Sequence, residues 1–328
     1  MRRFDRNAVG GLLAAMLAWP GPASAADAAA KPAALTLQPA MQRAYASKEL
    51  VLAATRAGRR LVAVGDHGVV LLSDDAGKTY RQAKAVPTRA TLTAVSFADA
   101  KNGWAVGHWG AIMHSADGGE TWTLQRRDTS VDRPLFSVYF ADAGHGLAVG
   151  LWSLLLATAD GGKTWNEVKL PAPPEGGKPD RNLFAVFANR DGAIFIAAEK
   201  GTVLRSEDRG ATWSYLNTGY KGSFWTGCAL KDGTLLVGGL RGTIYRSANN
   251  GRTWNAASSG TQSSITGLVE EGAKVYAVGL DGVHLVSSDG GMSFGGTQRD
   301  DRLSLTAVVV SVTGEVREFS RAGVVKKP

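Results

Sequence analysis

The chain has 328 residues, a formal net charge of +8 and one cysteine, Cys228, so an internal disulfide is excluded. A chain of this length can bury a sufficient core without covalent cross-links. The modest positive charge favours acidic partners, and the absence of a basic run interleaved with aromatic residues argues against nucleic acid.

The first predicted element, residues 1–25, is a secretory signal peptide. A basic stretch over residues 2–6 precedes an apolar run over 8–19 that is too short to span a bilayer, and Ala23-Ser24-Ala25 is typical of a cleavage site. Residues 26–328 are therefore predicted to form a single exported domain with no integral membrane span. We expect it in the periplasm, or in the thylakoid lumen if the host is photosynthetic.

Six copies of one motif, S/T-x-D/N-x-G-x-T/S-aromatic, organise the rest of the chain. They span residues 73–80, 115–122, 158–165, 206–213, 247–254 and 287–294. Their first residues are 42, 43, 48, 41 and 40 positions apart, which is a period typical of a four-stranded propeller blade.

Each copy predicts a tight hairpin between the third and fourth strands of a blade. Its acidic or amide side chain can accept backbone N–H bonds across the turn. The glycine two residues later tolerates positive φ, and the final aromatic residue can pack between blades. We assign a structural role, and no chemistry, to Asp75, Asp117, Asp160, Asp208, Asn249 and Asp289.

The remaining pattern predicts an all-β, seven-bladed β-propeller. Short apolar strands bounded by Gly, Asp and Asn recur in every repeat, and residues 302–327 supply two or three strands of a seventh blade. We expect Ala34–Pro39 to complete that blade as its outer strand, because closing the ring removes an unpaired sheet edge. The Pro/Gly-rich insertion 171–179 is predicted to be a mobile surface loop.

A candidate binding site lies on the face opposite the motif hairpins. Alternation of the strands places there the turns between second and third strands and the connections between blades, which are free to carry function. A basic residue recurs just before the inner strand, at Arg89, Arg133, Arg181, Lys221 and Arg302. These cations predict a partial ring around the central channel. The alternative is that they are ordinary solvated cations, some neutralised by nearby carboxylates such as Asp132.

The same face carries a variable residue at the tip of each turn between the second and third strands. These tips are His67, Trp109, Trp152, Lys200, Arg241 and Asp281. Exposed tryptophan beside arginine is typical of interface hot spots, so Trp109, Trp152 and Arg241 join the candidate partner-binding residues. The alternative for the two tryptophans is packing against neighbouring loops.

Signatures of catalysis are missing from the sequence. It contains no nucleophile elbow, zinc-binding helix, phosphate loop or dinucleotide fingerprint, and its five histidines are scattered. We expect no metal, no cofactor and no enzymatic activity. Glu199 and Asp281 could hydrolyse a glycoside only if the fold brought them together.

The repeated motif resembles the Asp-box, or BNR repeat, of sialidases, sortilin-type receptors and photosystem II stability/assembly factors. Over residues 35–327 the chain looks most like the assembly factors, as in GWAVGHWGAIMHSADGGETWTLQ (103–125). That resemblance implies a non-catalytic propeller that binds newly made membrane-protein subunits through an arginine-rich patch. The positions that match this patch are Arg89, Arg133, Arg181 and Arg302, with Lys221 in place of an arginine.

The expected function is therefore that of a monomeric assembly factor that binds an acidic loop or terminus of a membrane-protein client. The chain lacks the lipidation cysteine of cyanobacterial relatives, and nothing in it requires a photosynthetic host. A propeller that binds a glycan or small ligand is the main alternative. A sialidase-like hydrolase is a further one, although Asp132-Arg133-Pro134 lacks the aromatic residue and isoleucine of the sialidase motif.

Overall fold

A computed structural model describes residues 38–326, which form seven antiparallel sheets arranged as a seven-bladed β-propeller. The predicted fold class is confirmed. The predicted signal peptide, residues 1–25, lies outside the described residues. Within residues 38–326, no helix has the length and apolar character needed to cross a membrane.

In each blade the strands follow one another in chain order, from the inner strand, which contacts the inner strands of the neighbouring blades, to the outer edge. Blade 1 contains β1 (Val51–Ala57), β2 (Arg60–Gly65), β3 (Val70–Ser73) and β4 (Arg81–Gln82). Blade 2 contains β5 (Leu92–Phe97), β6 (Gly103–Gly107), β7 (Ile112–Ser115) and β8 (Thr123–Arg126). Blade 3 contains β9 (Leu135–Phe140), β10 (Gly146–Gly150), β11 (Leu155–Thr158) and β12 (Asn166–Glu167). Blade 4 contains β13 (Leu183–Ala188), β14 (Ile194–Ala198), β15 (Thr202–Ser206) and β16 (Ser214–Asn217).

The second half of the ring repeats this order. Blade 5 contains β17 (Phe224–Ala229), β18 (Leu235–Gly239), β19 (Ile244–Ser247) and β20 (Asn255–Ala256). Blade 6 contains β21 (Ile265–Glu271), β22 (Lys274–Gly279), β23 (Val283–Ser287) and β24 (Gly295–Gln298). Blade 7 contains β25 (Leu305–Val310), β26 (Val316–Ser320) and β27 (Gly323–Val324). Short 3₁₀ turns cover Ala46–Lys48, Asp66–Gly68, His108–Gly110, Leu151–Ser153, Leu240–Gly242 and Leu280–Gly282.

Each motif forms a hydrogen-bonded hairpin between the third and fourth strands. In blade 1, the Ser73 hydroxyl and the Thr79 N–H donate to Asp75 Oδ1 at 2.8 and 2.9 Å, and the Thr79 hydroxyl donates to Oδ2 at 2.6 Å. Gly77 has a φ of 85°, and its N–H donates to the Ser73 hydroxyl at 2.8 Å. In blade 5 an amide takes the place of the carboxylate: Asn249 Oδ1 accepts a hydrogen bond from the Thr253 N–H at 2.9 Å.

These hairpins predict a loss of stability in acid. Hydrogen bonds from the Thr212 hydroxyl and N–H lower the pKa of Asp208 to about 2. A depressed folded-state pKa stabilises the protein above the unfolded value of about 3.9, and this stabilisation is lost as the pH falls towards 2. We expect Asp208→Asn, which copies Asn249, to reduce the fall in melting temperature between about pH 5 and about pH 3. An equal fall in both proteins, followed by circular dichroism, would contradict this role.

The core lies between adjacent blades, where large apolar side chains interleave. The motif tryptophans Trp122 and Trp213 are buried, and each indole N–H donates to the carbonyl of its own motif glycine at 2.9 Å. Trp104 of blade 2 stacks on Phe140 of blade 3, with ring centroids 3.5 Å apart and planes 7° from parallel. Such contacts hold each blade against the next and fix the positions of the loops above them.

The ring closes through direct contact between blades 7 and 1. Val51 and Leu61 share one buried cluster with Val309 and Phe319. Arg317 Nε donates to the Ala76 carbonyl at 2.8 Å. The outer strand predicted for blade 7 at Ala34–Pro39 lies mainly outside the described residues, and its described end, residues 38–39, belongs to no strand.

Candidate functional site

The turns between second and third strands and the connections between blades lie on one face of the propeller, which we call the connection face. Hydrogen bonds link the two sets of loops. The Leu151 N–H donates to the Pro134 carbonyl at 3.0 Å, and the Ser153 N–H donates to the Arg181 carbonyl at 2.7 Å. The motif hairpins join the opposite ends of the strands, so this face is free of them.

The six turn tips on the connection face share a left-handed backbone conformation. Their φ angles lie between 53° and 59° at His67, Trp109, Trp152, Lys200, Arg241 and Asp281. A non-glycine residue in this region costs about 1–2 kcal/mol. Because all six tips share it, the conformation belongs to the repeated turn rather than to any one side chain. Trp109 and Trp152 are 37% and 54% exposed, so their turns present both indoles to solvent.

The Trp109 tip is held by the connection to blade 3. The Trp109 N–H donates to Asp132 Oδ1 at 2.7 Å, and His108 Nδ1 lies 3.0 Å from Asp132 Oδ2. Both oxygens of Asp132 are therefore used to fix the turn. The arginine beside it, Arg133, makes a loose contact with Glu167, with Nη2 and Oε1 3.5 Å apart.

The Trp152 tip is held by a longer chain of hydrogen bonds. Its N–H donates to Asn182 Oδ1 at 3.1 Å. Asn182 donates in turn to Glu199 through its backbone N–H, at 2.9 Å, and through Nδ2, at 2.8 Å. The Glu199 carboxylate thus positions a loop. Asp281, on blade 6, accepts a separate bond from the Ser263 hydroxyl at 3.0 Å.

Most of the predicted cations lie open on the connection face. Arg89, Lys221, Arg241 and Arg302 are exposed, as is the tip residue Lys200. Among residues 38–326, none of these five side chains takes part in an ion pair. Their charge is therefore available to an acidic partner.

Arg181 has a different environment from the other predicted cations. It is only 7% exposed, its guanidinium contacts the Glu175 carboxylate, and its Cζ lies 5.3 Å from the centre of the Tyr215 ring. The basic ring expected from the sequence is therefore interrupted at blade 4. At the turn tip of that blade, Lys200 is an exposed cation.

We call one group on the connection face the docking arc: Trp109, Trp152, Lys200, Lys221 and Arg241. It runs from blade 2 to blade 5 and combines two exposed indoles with three exposed cations. The next tip, on blade 6, is the acidic Asp281. Trp225 is half-buried within β17 and is not part of the arc.

The seven sheets and their repeated hairpins define the protein as a seven-bladed β-propeller. The family model described as photosynthesis system II assembly factor YCF48 matches residues 82–134 and 125–273, which together make up more than half of the chain. The chain belongs to this family, and the resemblance seen in the sequence is confirmed.

Two solved structures have the same fold. One, described as YCF48 bound to D1 peptide, is 18% identical with a TM-score of 0.68, and the match covers 88% of this chain and 95% of that one. The other, YCF48 from Cyanidioschyzon merolae, is 14% identical with a TM-score of 0.66, and the match covers 88% and 97%. No curated protein sequence matches the chain.

Proposed function

We propose that this chain is a non-catalytic, exported assembly factor whose docking arc binds an acidic loop or terminus of a membrane-protein client. The observation that carries the proposal is the exposure of Trp109 and Trp152 beside Lys200, Lys221 and Arg241. These three cations form no ion pair with residues 38–326. Membership of the YCF48 family supports it. The D1 peptide of the similar structure is therefore the first probe to use.

The two kinds of side chain in the arc have different tasks. The indoles supply affinity, because large aromatic side chains that lose water at an interface dominate binding energy. The cations Lys200, Lys221 and Arg241 speed encounter with an acidic segment and select against basic ones. We propose no hydrolysis, since Glu199 is committed to Asn182 and Asp281 to Ser263.

The charge of the arc predicts a salt-dependent association rate. We expect the triple variant Lys200→Gln/Lys221→Gln/Arg241→Gln to bind the D1 peptide about tenfold more slowly at low ionic strength. It should also show a weaker salt dependence, because three steering charges are gone while Arg89 and Arg302 remain. Stopped-flow fluorescence would measure both quantities.

A matched control removes the same charges from the opposite face. Lys78, Lys163 and Arg252 are exposed residues of the motif hairpins, so their replacement by glutamine changes the net charge equally. Association rates that fall by the same factor in both triple variants would show that only net charge matters. That result would overturn the proposed docking arc.

A further inference from the structure

A cavity of about 420 Å³ lies beside the Lys200 tip, at the edge of blade 4. Its lining includes Pro174, Glu175, Arg181, Lys200, Tyr215 and Leu216. We call it the blade-4 pocket. It brings together one buried cation, one exposed cation and the face of an aromatic ring, next to the docking arc.

Arg181 has hydrogen-bonding capacity that the described residues leave unused. Its side chain is more than nine-tenths buried, and its Nε has no hydrogen-bond partner within residues 38–326. A buried cation is costly unless it is paired and hydrogen-bonded, and a guanidinium pairs best with a carboxylate through two parallel bonds. The pocket therefore suits a second, better-placed carboxylate.

The carboxylate that now contacts Arg181 belongs to an exposed loop. Glu175 lies in the Pro/Gly-rich insertion 171–179, and its side chain is 52% exposed. The Gly176 N–H donates to the Pro173 carbonyl at 2.8 Å, closing a turn around Glu175. The Tyr215 hydroxyl donates to the Pro171 carbonyl at 3.1 Å, which ties the start of the loop to blade 4. Glu175 returns to water when it is displaced, and an incoming carboxylate restores the pairing of the buried Arg181. The exchange of one carboxylate for the other therefore leaves no buried charge unpaired.

We propose that the blade-4 pocket binds a carboxylate of an acidic peptide, and that Glu175 occupies the pocket in the free protein until this ligand displaces it. The Arg181 guanidinium donates two parallel hydrogen bonds to the incoming carboxylate. Lys200, which is exposed and has no ion-pair partner in the described part of the chain, adds a second positive charge at the rim. Tyr215 and Leu216 provide a surface for the methylene groups next to the carboxylate. The inference rests on the proposed function and assigns one anchoring point for its acidic client.

The test is fluorescence anisotropy with three short dye-labelled peptides of otherwise neutral sequence. One carries glutamates and an amidated C-terminus, one carries glutamines and a free C-terminus, and one carries glutamines and an amidated C-terminus. We expect Glu175→Gln to bind a carboxylate-bearing peptide about three to ten times more tightly than the wild type. A gain confined to the first peptide identifies a side-chain carboxylate, and a gain confined to the second identifies a chain terminus.

Glu207→Gln is the matched control, because Glu207 is exposed in the blade-4 motif hairpin on the opposite face and its loss changes the net charge equally. The double variant Glu175→Gln/Arg181→Lys keeps the buried charge, but lysine cannot donate two parallel hydrogen bonds to one carboxylate. It should therefore return to wild-type affinity. No gain with Glu175→Gln, an equal gain with Glu207→Gln, or a gain retained in the double variant would overturn the pocket. These results are independent of the comparison of the two triple variants, whose failure would overturn the proposed function instead.

Discussion

Replacing Trp109 and Trp152 together with glycine is expected to weaken binding of the D1 peptide by about 100-fold or more, without loss of stability. Truncating an interface hot spot costs about 2 kcal/mol or more, or roughly 30-fold for each tryptophan, although the two effects need not add. Both residues have φ above 50°. Glycine adopts this conformation without strain, so the melting temperature should stay the same or rise.

Isothermal titration calorimetry and differential scanning fluorimetry measure these two outcomes on one sample. Met292→Gly is the control, because Met292 is 57% exposed in the blade-6 motif hairpin on the opposite face. It should leave the affinity unchanged. Affinity within about twofold of the wild type after loss of both indoles would remove the main source of binding energy that we assign to the arc.

The second large effect is on the fold. Trp104→Ala is expected to lower the free energy of unfolding by about 3–5 kcal/mol, because it leaves a cavity between two blades. Trp104 is 1% exposed and stacks on Phe140. Its indole N–H donates to the Gly161 carbonyl at 3.3 Å, and that carbonyl keeps a second donor, Gln125 Nε2, at 2.8 Å. The cost therefore comes mainly from lost packing.

Urea unfolding followed by circular dichroism would measure this change. Trp109→Gly is the natural control, since Trp109 lies five residues further along the same blade but reaches solvent. Loss of Trp104 should lower stability, whereas loss of Trp109 should weaken binding. Loss of less than about 1 kcal/mol at Trp104 would contradict the assigned role of blade-to-blade stacking.

Most of the fold could be predicted because each repeat carries its own turn chemistry. A motif such as Ser73–Tyr80 needs its Asp, Gly and aromatic residue locally, so six hairpins are visible in the sequence without knowledge of their neighbours. Strand alternation then decides which loops share a face. Blade 7 has no copy of the motif, and only its apolar strands indicated that it exists.

The candidate site was only partly predictable, since exposure of a charge depends on contacts that the repeat does not encode. Arg181 occupies the same position in its repeat as the exposed Arg89. It is buried, and it contacts Glu175 of an insertion found in one blade only. The same limit applies to Asp132 and Asn182. Each accepts a hydrogen bond from the backbone N–H of a turn tip, and this contact depends on how neighbouring blades pack.

The most direct test of the central claim is hydrogen–deuterium exchange of the protein with and without the D1 peptide. The docking arc predicts protection of the tips 108–110, 151–153, 199–201 and 240–242 and of the connections beside them. Protection confined to the motif hairpins on the opposite face, or no protection at a saturating peptide concentration, would contradict it.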